Sequence, residues 1–247
     1  MRRGDSVEKK HDMTTKRQND NEPVVMSSCR HVTFLLSLEF IALYVALPLV
    51  LWRVAVSGVA KMWVLPWLWV AAVVATVWLI RKRGWTWKRF FGFEGVTRWD
   101  WLKLGLRVMV GAIALAIILH WLMPEALFKF PQTKPSRWLV VMLMYPVLSV
   151  FPQGVVCRAL FFERYARLFG GWASAVAAVA FSLAHIVFNN PHALILTLAG
   201  GVIFTWQYRA KGMMFANVEH TLFGNLAFTI GWGIFLHGGT LALRGGG

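Results

Sequence analysis

Long runs of mainly apolar residues constrain the fold of this chain more than any other feature. A run of about 20 such residues crosses a bilayer as a helix, and in lipid only helices and closed barrels pair all their backbone groups. Seven runs are expected to span, at 32–52, 63–80, 104–123, from Trp138 to about 153, 171–188, 193–208 and 216–236. An eighth follows if 154–170 re-enters the membrane. The sequence therefore predicts an all-α, polytopic transmembrane helical bundle of about seven to eight spans.

The charge of the chain is strongly positive, at +15, although only 15% of its residues are charged. Basic patches attract nucleic acid, but here the Lys and Arg residues lie between apolar runs, as in "RKRGWTWKRFFGFEGVTR" (81–98). This placement is typical of loops beside a membrane. We therefore expect the lipid bilayer as a partner, and no nucleic acid.

The same charges predict the orientation of the chain. The first 30 residues and loop 81–103 hold seven Lys or Arg each, whereas 53–62 holds two and 125–137 holds three. Lys and Arg concentrate in cytoplasmic loops. We therefore expect a multi-pass protein of the cell inner (plasma) membrane with a cytoplasmic N-terminus.

Four segments follow from these patterns. Residues 1–31 hold few apolar side chains and are expected to form a disordered basic cytoplasmic tail. Transmembrane helices with the basic loop 81–103 are expected at 32–134, and a second membrane domain at 135–236. Residues 237–247 form a Gly-rich tail.

Polar side chains in the last part of the chain need an explanation, because a charge at mid-membrane costs about 2.5–3.5 kcal/mol on insertion scales. Arg158 lies in "QGVVCR", His185 in "FSLAH", and His220 and Asn225 in "HTLFGN". Taken singly, each histidine is more often a structural hydrogen-bonding group. Together, such groups suit water attack on a peptide bond, which needs a base and donors for the oxyanion. A buried carboxylate would be a suitable base, because desolvation raises its pKa.

The three motifs resemble those of the CPBP family of intramembrane proteases, which includes the type II CAAX prenyl endopeptidases and bacterial CAAX-protease-like proteins. The family carries Glu-Glu-x-x-x-Arg, Phe-x-x-x-His, and a His followed by Asn about one turn later, on separate membrane helices. The resemblance covers about 135–236. It places Arg158 in the first motif and Phe181 with His185 in the second. His220 and Asn225 are similar to the third motif, with a spacing one residue longer.

The resemblance also implies a role for each matched residue. Arg158 would orient the first motif helix, and the histidines at 185 and 220 would handle the water and the oxyanion. Asn225 would donate a hydrogen bond, and Phe181 would position the substrate. Pro146 and Pro152 are expected to bend the fourth span and bring the motifs to one depth.

The first motif departs from the family pattern, because its Glu-Glu positions read Gln153 and Gly154. Some members have Gln in the first place, but the second Glu, which activates water in the family, is missing. Glu163 lies nine residues after Gly154, on the opposite face of an α-helix. Glu219 adjoins His220 and is turned about 100° from it. Both are expected to be paired or interfacial charges.

Three explanations of position 154 stay open. The chain is a natural pseudoprotease, or it carries a Glu-to-Gly change, or a carboxylate from elsewhere, such as Glu39, serves the site. The resemblance implies a membrane-embedded endopeptidase that cleaves a peptide bond at or in the membrane by activated water. The missing Glu at 154 would impair this activity. Its substrate would be a peptide or membrane protein, with or without a lipid. The alternative is a catalytically inactive member that acts as a membrane binding scaffold.

A third class of function is a haem or ion protein with His185 and His220 as axial ligands. We expect no cofactor and no metal. No His-Glu-x-x-His motif is present in the sequence. Two histidines without a third ligand make a poor catalytic zinc site, which usually has three protein ligands.

Overall fold

The computed structural model describes residues 31–56 and 63–236. The tails predicted at 1–31 and 237–247 lie outside the described residues, apart from His31, and stay predictions. The chain divides into two units, Met1–Ala42 and Leu43–Gly247. In the first unit the described residues are helical and include Glu39. All contacts given below belong to the second unit.

The described residues form ten helices and no strand, which confirms the all-α helical bundle. The helices are α1 (His31–Ala55), α2 (Val64–Arg83), α3 (Trp87–Phe91), α4 (Arg98–Leu122), α5 (Lys129–Thr133), α6 (Pro135–Arg164), α7 (Ala166–Phe188), α8 (Pro191–Lys211), α9 (Met213–Ile230) and α10 (Gly233–Leu236).

Five helices of the described part are long and apolar enough to cross a membrane, namely α1, α2, α4, α6 and α7. The sixth and seventh predicted spans form the long helices α8 and α9, which fall outside this set. Both carry buried polar groups, such as Gln207 and Glu219, and their crossing stays a prediction. The eighth span considered at 154–170 does not form a separate helix, because α6 continues to Arg164.

Helix α6 contains two stretches of π-helix, Pro146–Val150 and Gly154–Leu160. One proline opens the first stretch, and Pro152 lies just before the second. Both prolines lack the N–H that continues an α-helix, so the backbone must change its pairing near them. Such π-helical stretches are frequent at functional sites. The second one carries Gly154 and Arg158 of the first motif.

Side chains from neighbouring helices donate hydrogen bonds to two backbone carbonyls of α6. Pro152 has no N–H for the carbonyl of Leu148, four residues earlier. The indole N–H of Trp69 on α2 donates to that carbonyl at 3.1 Å. The Tyr44 hydroxyl donates to the Val156 carbonyl at 2.7 Å. Because an unpaired carbonyl is costly inside a membrane, these bonds stabilise α6 in its π-helical form.

Small residues bring α7 and α8 close together beside α6. A Cβ on Gly201 of α8 would lie 3.0 Å from the carbonyl oxygen of Ala178 on α7, so the two backbones are nearly in contact. Small residues serve this purpose in membrane helices, where close packing drives association. The buried rings of Phe181 on α7 and Phe204 on α8 pack together at 6.2 Å. These two rings form one wall of the candidate site.

Candidate active site

Arg158 on α6 lies at the centre of a buried cluster, with only 2% of its surface exposed. Its Nη2 donates to Oδ1 of Asn217 at 2.9 Å and lies 3.4 Å from Nδ1 of His220, both on α9. The rings of Phe181 and Phe204 lie 5.9 Å from its guanidinium carbon. Aromatic rings attract a cation at this distance. The structure thus brings together one residue from each of the three motifs.

The positive charge of Arg158 has no carboxylate partner within ion-pair distance in the described part of the chain. Its Nε has no hydrogen-bond partner either. A buried charge without a counter-charge is expensive, because the interior does not replace its lost hydration. The cluster therefore holds a cation that is ready to pair with a carboxylate.

Asn217 occupies the space beside Gly154, where the missing carboxylate of the first motif is expected. A Cβ on Gly154 would lie 2.7 Å from Nδ2 and 2.9 Å from Cγ of Asn217, well inside van der Waals contact. The same Asn217 side chain accepts the hydrogen bond of Arg158. An amide oxygen therefore fills the acceptor position that a carboxylate would hold, but it carries no charge and does not act as a base at neutral pH.

Gln153, the other residue of the Glu-Glu position, forms its hydrogen bond within α6. Its Nε2 donates to Oγ of Ser149 at 2.8 Å, whereas its buried Oε1 has no partner. No hydrogen bond joins it to Arg158 in the described residues. Gln153 therefore lies beside the cluster and does not contribute to its hydrogen bonding.

Both ring nitrogens of the buried His220 are occupied. Arg158 can only donate, so Nδ1 of His220 accepts at 3.4 Å. In the neutral ring Nε2 then carries the proton, and it donates to the hydroxyl oxygen of Tyr145 on α6 at 3.1 Å. The Tyr145 hydroxyl retains its own hydrogen for another acceptor. His220 thus orients Arg158 and Tyr145, and Tyr145 is left as a donor.

Within residues 31–56 and 63–236, one ring nitrogen of His185 forms no hydrogen bond. Its Nδ1 lies 2.7 Å from the carbonyl oxygen of Phe181, which can only accept, so Nδ1 carries the proton. Nε2 of the neutral ring is then an acceptor. The Phe181 ring contacts both histidines, with centroid distances of 4.7 Å to His185 and 5.4 Å to His220. Of the two histidines, His185 has the nitrogen that can take a proton.

Asn225 lies outside the cluster, where it forms a bond with the backbone of α6. Its Nδ2 donates to the Met142 carbonyl at 3.3 Å, and this carbonyl lies four residues before Pro146, which has no N–H to offer it. The position one turn after His220 is Gly224, and the Tyr145 ring packs against it. The longer motif spacing therefore places a structural amide at 225 and leaves room for Tyr145.

The two acidic residues that the sequence excluded as bases are paired, as expected. Buried Glu219 accepts from Nε of Arg107 on α4 at 2.7 Å. Glu163, at the end of α6, binds Arg89 at 2.5 Å and the indole N–H of Trp85 at 3.2 Å. Neither carboxylate contacts Arg158.

Sequence reasoning missed Asn217 and Tyr145. Asn217 lies three residues before His220, so the two share a helix face. That spacing was a usable signal. Tyr145 carried no comparable signal, because its contact with His220 joins α6 to α9 across 75 positions of the sequence.

No cluster of three or more His, Cys, Asp or Glu side chains that could hold a metal ion occurs in the described residues. His220 has no nitrogen left for an axial bond, since Arg158 and Tyr145 occupy both.

Comparison with known proteins agrees with the motifs. The family described as Type II CAAX prenyl endopeptidase Rce1-like matches residues 135–237. This range begins where α6 begins and includes Arg158, His185 and His220. No curated protein and no solved structure matches the chain. With its apolar helices, the chain is a multi-pass membrane protein, and its residues 135–237 are similar to the Rce1-like family of type II CAAX prenyl endopeptidases.

Proposed function

We propose that this protein binds a peptide segment in or at the membrane, in a site of the endopeptidase type whose water-activating step is impaired. The observation that carries the proposal is the contact between Gly154 and Asn217. Position 154 has no carboxylate, and the Asn217 amide fills the neighbouring space. A general base must be able to accept a proton from water, and an amide does not.

The remaining groups suit binding and polarisation of a peptide. Tyr145 has a hydroxyl hydrogen that can donate to a peptide carbonyl, and His220 holds that hydroxyl in place. Such a fixed donor also stabilises an oxyanion in a working protease. His185 offers Nε2 as an acceptor, and the buried Phe181 ring, which contacts both histidines, would hold them in position for the peptide.

A second candidate is an active endopeptidase. The set of Arg158, His185 and His220 favours it, because these residues match the family motifs. In that case a group outside the Arg158 cluster would have to supply the base. For either function we propose a protein or peptide ligand, with or without a lipid, and a site that opens towards the cytoplasm at the inner (plasma) membrane, with a cytoplasmic N-terminus.

The test is cleavage of a quenched fluorescent peptide library by the full chain in detergent. Four forms are compared: the unmutated protein, Gly154→Glu, Gly154→Glu with Asn217→Ala, and the last form with His185→Ala. We expect the unmutated protein to be inert. Gly154→Glu alone should cut weakly, since Asn217 occupies the space of the new side chain. The double variant should cut best, and His185→Ala should abolish this activity.

The same peptides, labelled with a fluorophore, measure binding by anisotropy. The proposal requires that the unmutated protein binds a peptide that it does not cut. Cleavage by the unmutated protein that depends on His185 would favour the active endopeptidase instead. A failure of all four forms to bind any peptide would reject both functions.

A further inference from the structure

A pocket of about 350 Å³ is lined by residues that do not belong to the Arg158 cluster. Its walls are mainly apolar and aromatic, formed by Trp85, Phe162, Tyr208 and Met213. The Phe162 and Tyr208 rings stack at 5.3 Å, and Trp85 is buried against Phe90 at 4.8 Å. A pocket of this size with a few convergent polar groups is typical of a ligand site.

Charged groups from three helices surround this pocket. Arg89 of α3, Glu163 of α6 and Arg209 of α8 line it. The Glu163 carboxylate is bound by Arg89 and by Arg83, whose Nε lies 3.8 Å from it. Two guanidinium groups thus bind one carboxylate, and Arg209 adds a further positive charge to the wall of the pocket.

Arg209 supplies the uncompensated charge in the wall. It donates to the Ser174 hydroxyl at 2.8 Å and lies over the Phe162 ring, with 5.9 Å to the centroid. No carboxylate pairs with it in the described residues. A guanidinium carries five N–H donors, so several remain for a ligand. By contrast, Lys88 in the same region is paired with Glu94 at 2.5 Å.

The pocket lies at the ends of helices. Trp85 follows the end of α2, Glu163 is next to the last residue of α6, and Gly212 joins α8 to α9. Because α2 and α6 are long enough to cross a membrane, their ends lie near its surface. On the adjacent α3, Trp87 is 63% exposed and Phe91 is 47% exposed. Exposed aromatic residues beside Lys and Arg are typical of the membrane interface.

We propose that this pocket binds the phosphate group of an anionic lipid headgroup. Arg209 and Arg89 would bind the phosphate oxygens, since guanidinium matches phosphate geometry with paired hydrogen bonds. The aromatic walls would contact the glycerol and the first methylene groups. Basic pockets between membrane helices on the cytoplasmic side are known to bind such headgroups. The inference goes beyond the proposed peptide site and does not depend on it.

The test is native mass spectrometry of the detergent-purified full chain titrated with dioleoylphosphatidylglycerol. Dioleoylphosphatidylcholine and inorganic phosphate are titrated in parallel, so that a lipid can be told from a free phosphate ion. The central variant is Arg209→Gln, because its loss leaves no carboxylate unpaired. Arg98→Gln is the control, since Arg98 is an exposed cation that lies in the basic loop 81–103 and does not line the pocket.

We expect one phosphatidylglycerol to bind more tightly than phosphatidylcholine, and Arg209→Gln to weaken it about fivefold. Arg98→Gln should change the affinity less than twofold. Arg209→Lys keeps the charge without the paired donors and should give an intermediate loss. Equal saturation by inorganic phosphate alone would assign the pocket to a free phosphate and overturn the lipid as its ligand. Equal effects of Arg209→Gln and Arg98→Gln, or equal binding of both lipids, would overturn the pocket itself.

Discussion

The amide of Asn217 on α9 fills the space beside the backbone of Gly154 on α6. A side chain at 154 would overlap that amide, while Oδ1 of Asn217 accepts the hydrogen bond of buried Arg158. The lack of a side chain at 154 and the position of the Asn217 amide therefore depend on each other. The first two predictions test this arrangement through stability, independently of any substrate.

Gly154→Ala should destabilise the protein by about 1–3 kcal/mol, because an added methyl group overpacks a filled interior. Asn217→Ala in the same chain should remove most of this cost, so the two changes are not additive. Gly105→Ala is the control, since a Cβ at Gly105 meets no atom within 4 Å. Thermal unfolding in detergent is measured for the unchanged protein, the two single variants, the double variant and the control. Additive effects of the two changes would show that the two residues do not compete for space.

Asn217→Asp should stabilise the protein by about 1.5–3 kcal/mol, because it gives Arg158 a charged acceptor of the same shape. The matched control is Asn225→Asp on the same helix. It should destabilise, because the carboxylate has no N–H for the Met142 carbonyl. Unfolding temperatures at neutral pH compare the two. If both substitutions shift the unfolding temperature in the same direction, the uncompensated charge of Arg158 does not explain the effect of Asn217→Asp.

Asn225→Ala should cost about 1–3 kcal/mol, the cost of a buried carbonyl without a donor. We expect the effect to shrink in a Pro146→Ala background, because alanine restores the N–H four residues after Met142. A double-mutant cycle on unfolding free energies gives the coupling. A catalytic role of Asn225 without this structural role predicts a loss of cleavage and no coupling to Pro146.

Arg107→Leu should destabilise by up to about 3–5 kcal/mol, because it leaves Glu219 buried without its partner. Replacing both residues by leucine should cost much less, since no charge is then buried. Arg98→Leu, which breaks no ion pair in the described residues, should change stability by less than about 0.5 kcal/mol. Glu219→Gln is also made in the Gly154→Glu, Asn217→Ala form. If this change abolishes cleavage without loss of stability, Glu219 has a direct role in cleavage.

The sequence predicted the helices well, because long apolar runs are a strong signal in a membrane protein. It also predicted Arg158, Phe181 and His220 as neighbours, since each belongs to a motif on its own helix. The pairing of Glu163 and Glu219 with cations followed from their helix faces and is confirmed.

Other contacts depend on backbone details that residue patterns do not encode. Asn225 binds the carbonyl released by Pro146, and its role follows from the hydrogen bonding of a different helix. Tyr145 reaches His220 beside the π-helical turns of α6, and an α-helical wheel of α6 does not describe those turns. The contact of Asn217 with Gly154 could not be predicted, because it depends on the distance between α6 and α9 in the folded chain.

Because α6 contains π-helical turns, the number of residues between Gly154 and Arg158 determines where the Arg158 side chain points. Each residue of an α-helix advances the chain by about 100° around its axis. Deletion of one codon between 154 and 158 would change the angle between Gly154 and Arg158 around the helix axis. The guanidinium of Arg158 would then turn away from Asn217 and His220. The apolar character of the span would hardly change. Small insertions and deletions in this short segment are therefore expected to abolish ligand binding even where the protein still enters the membrane.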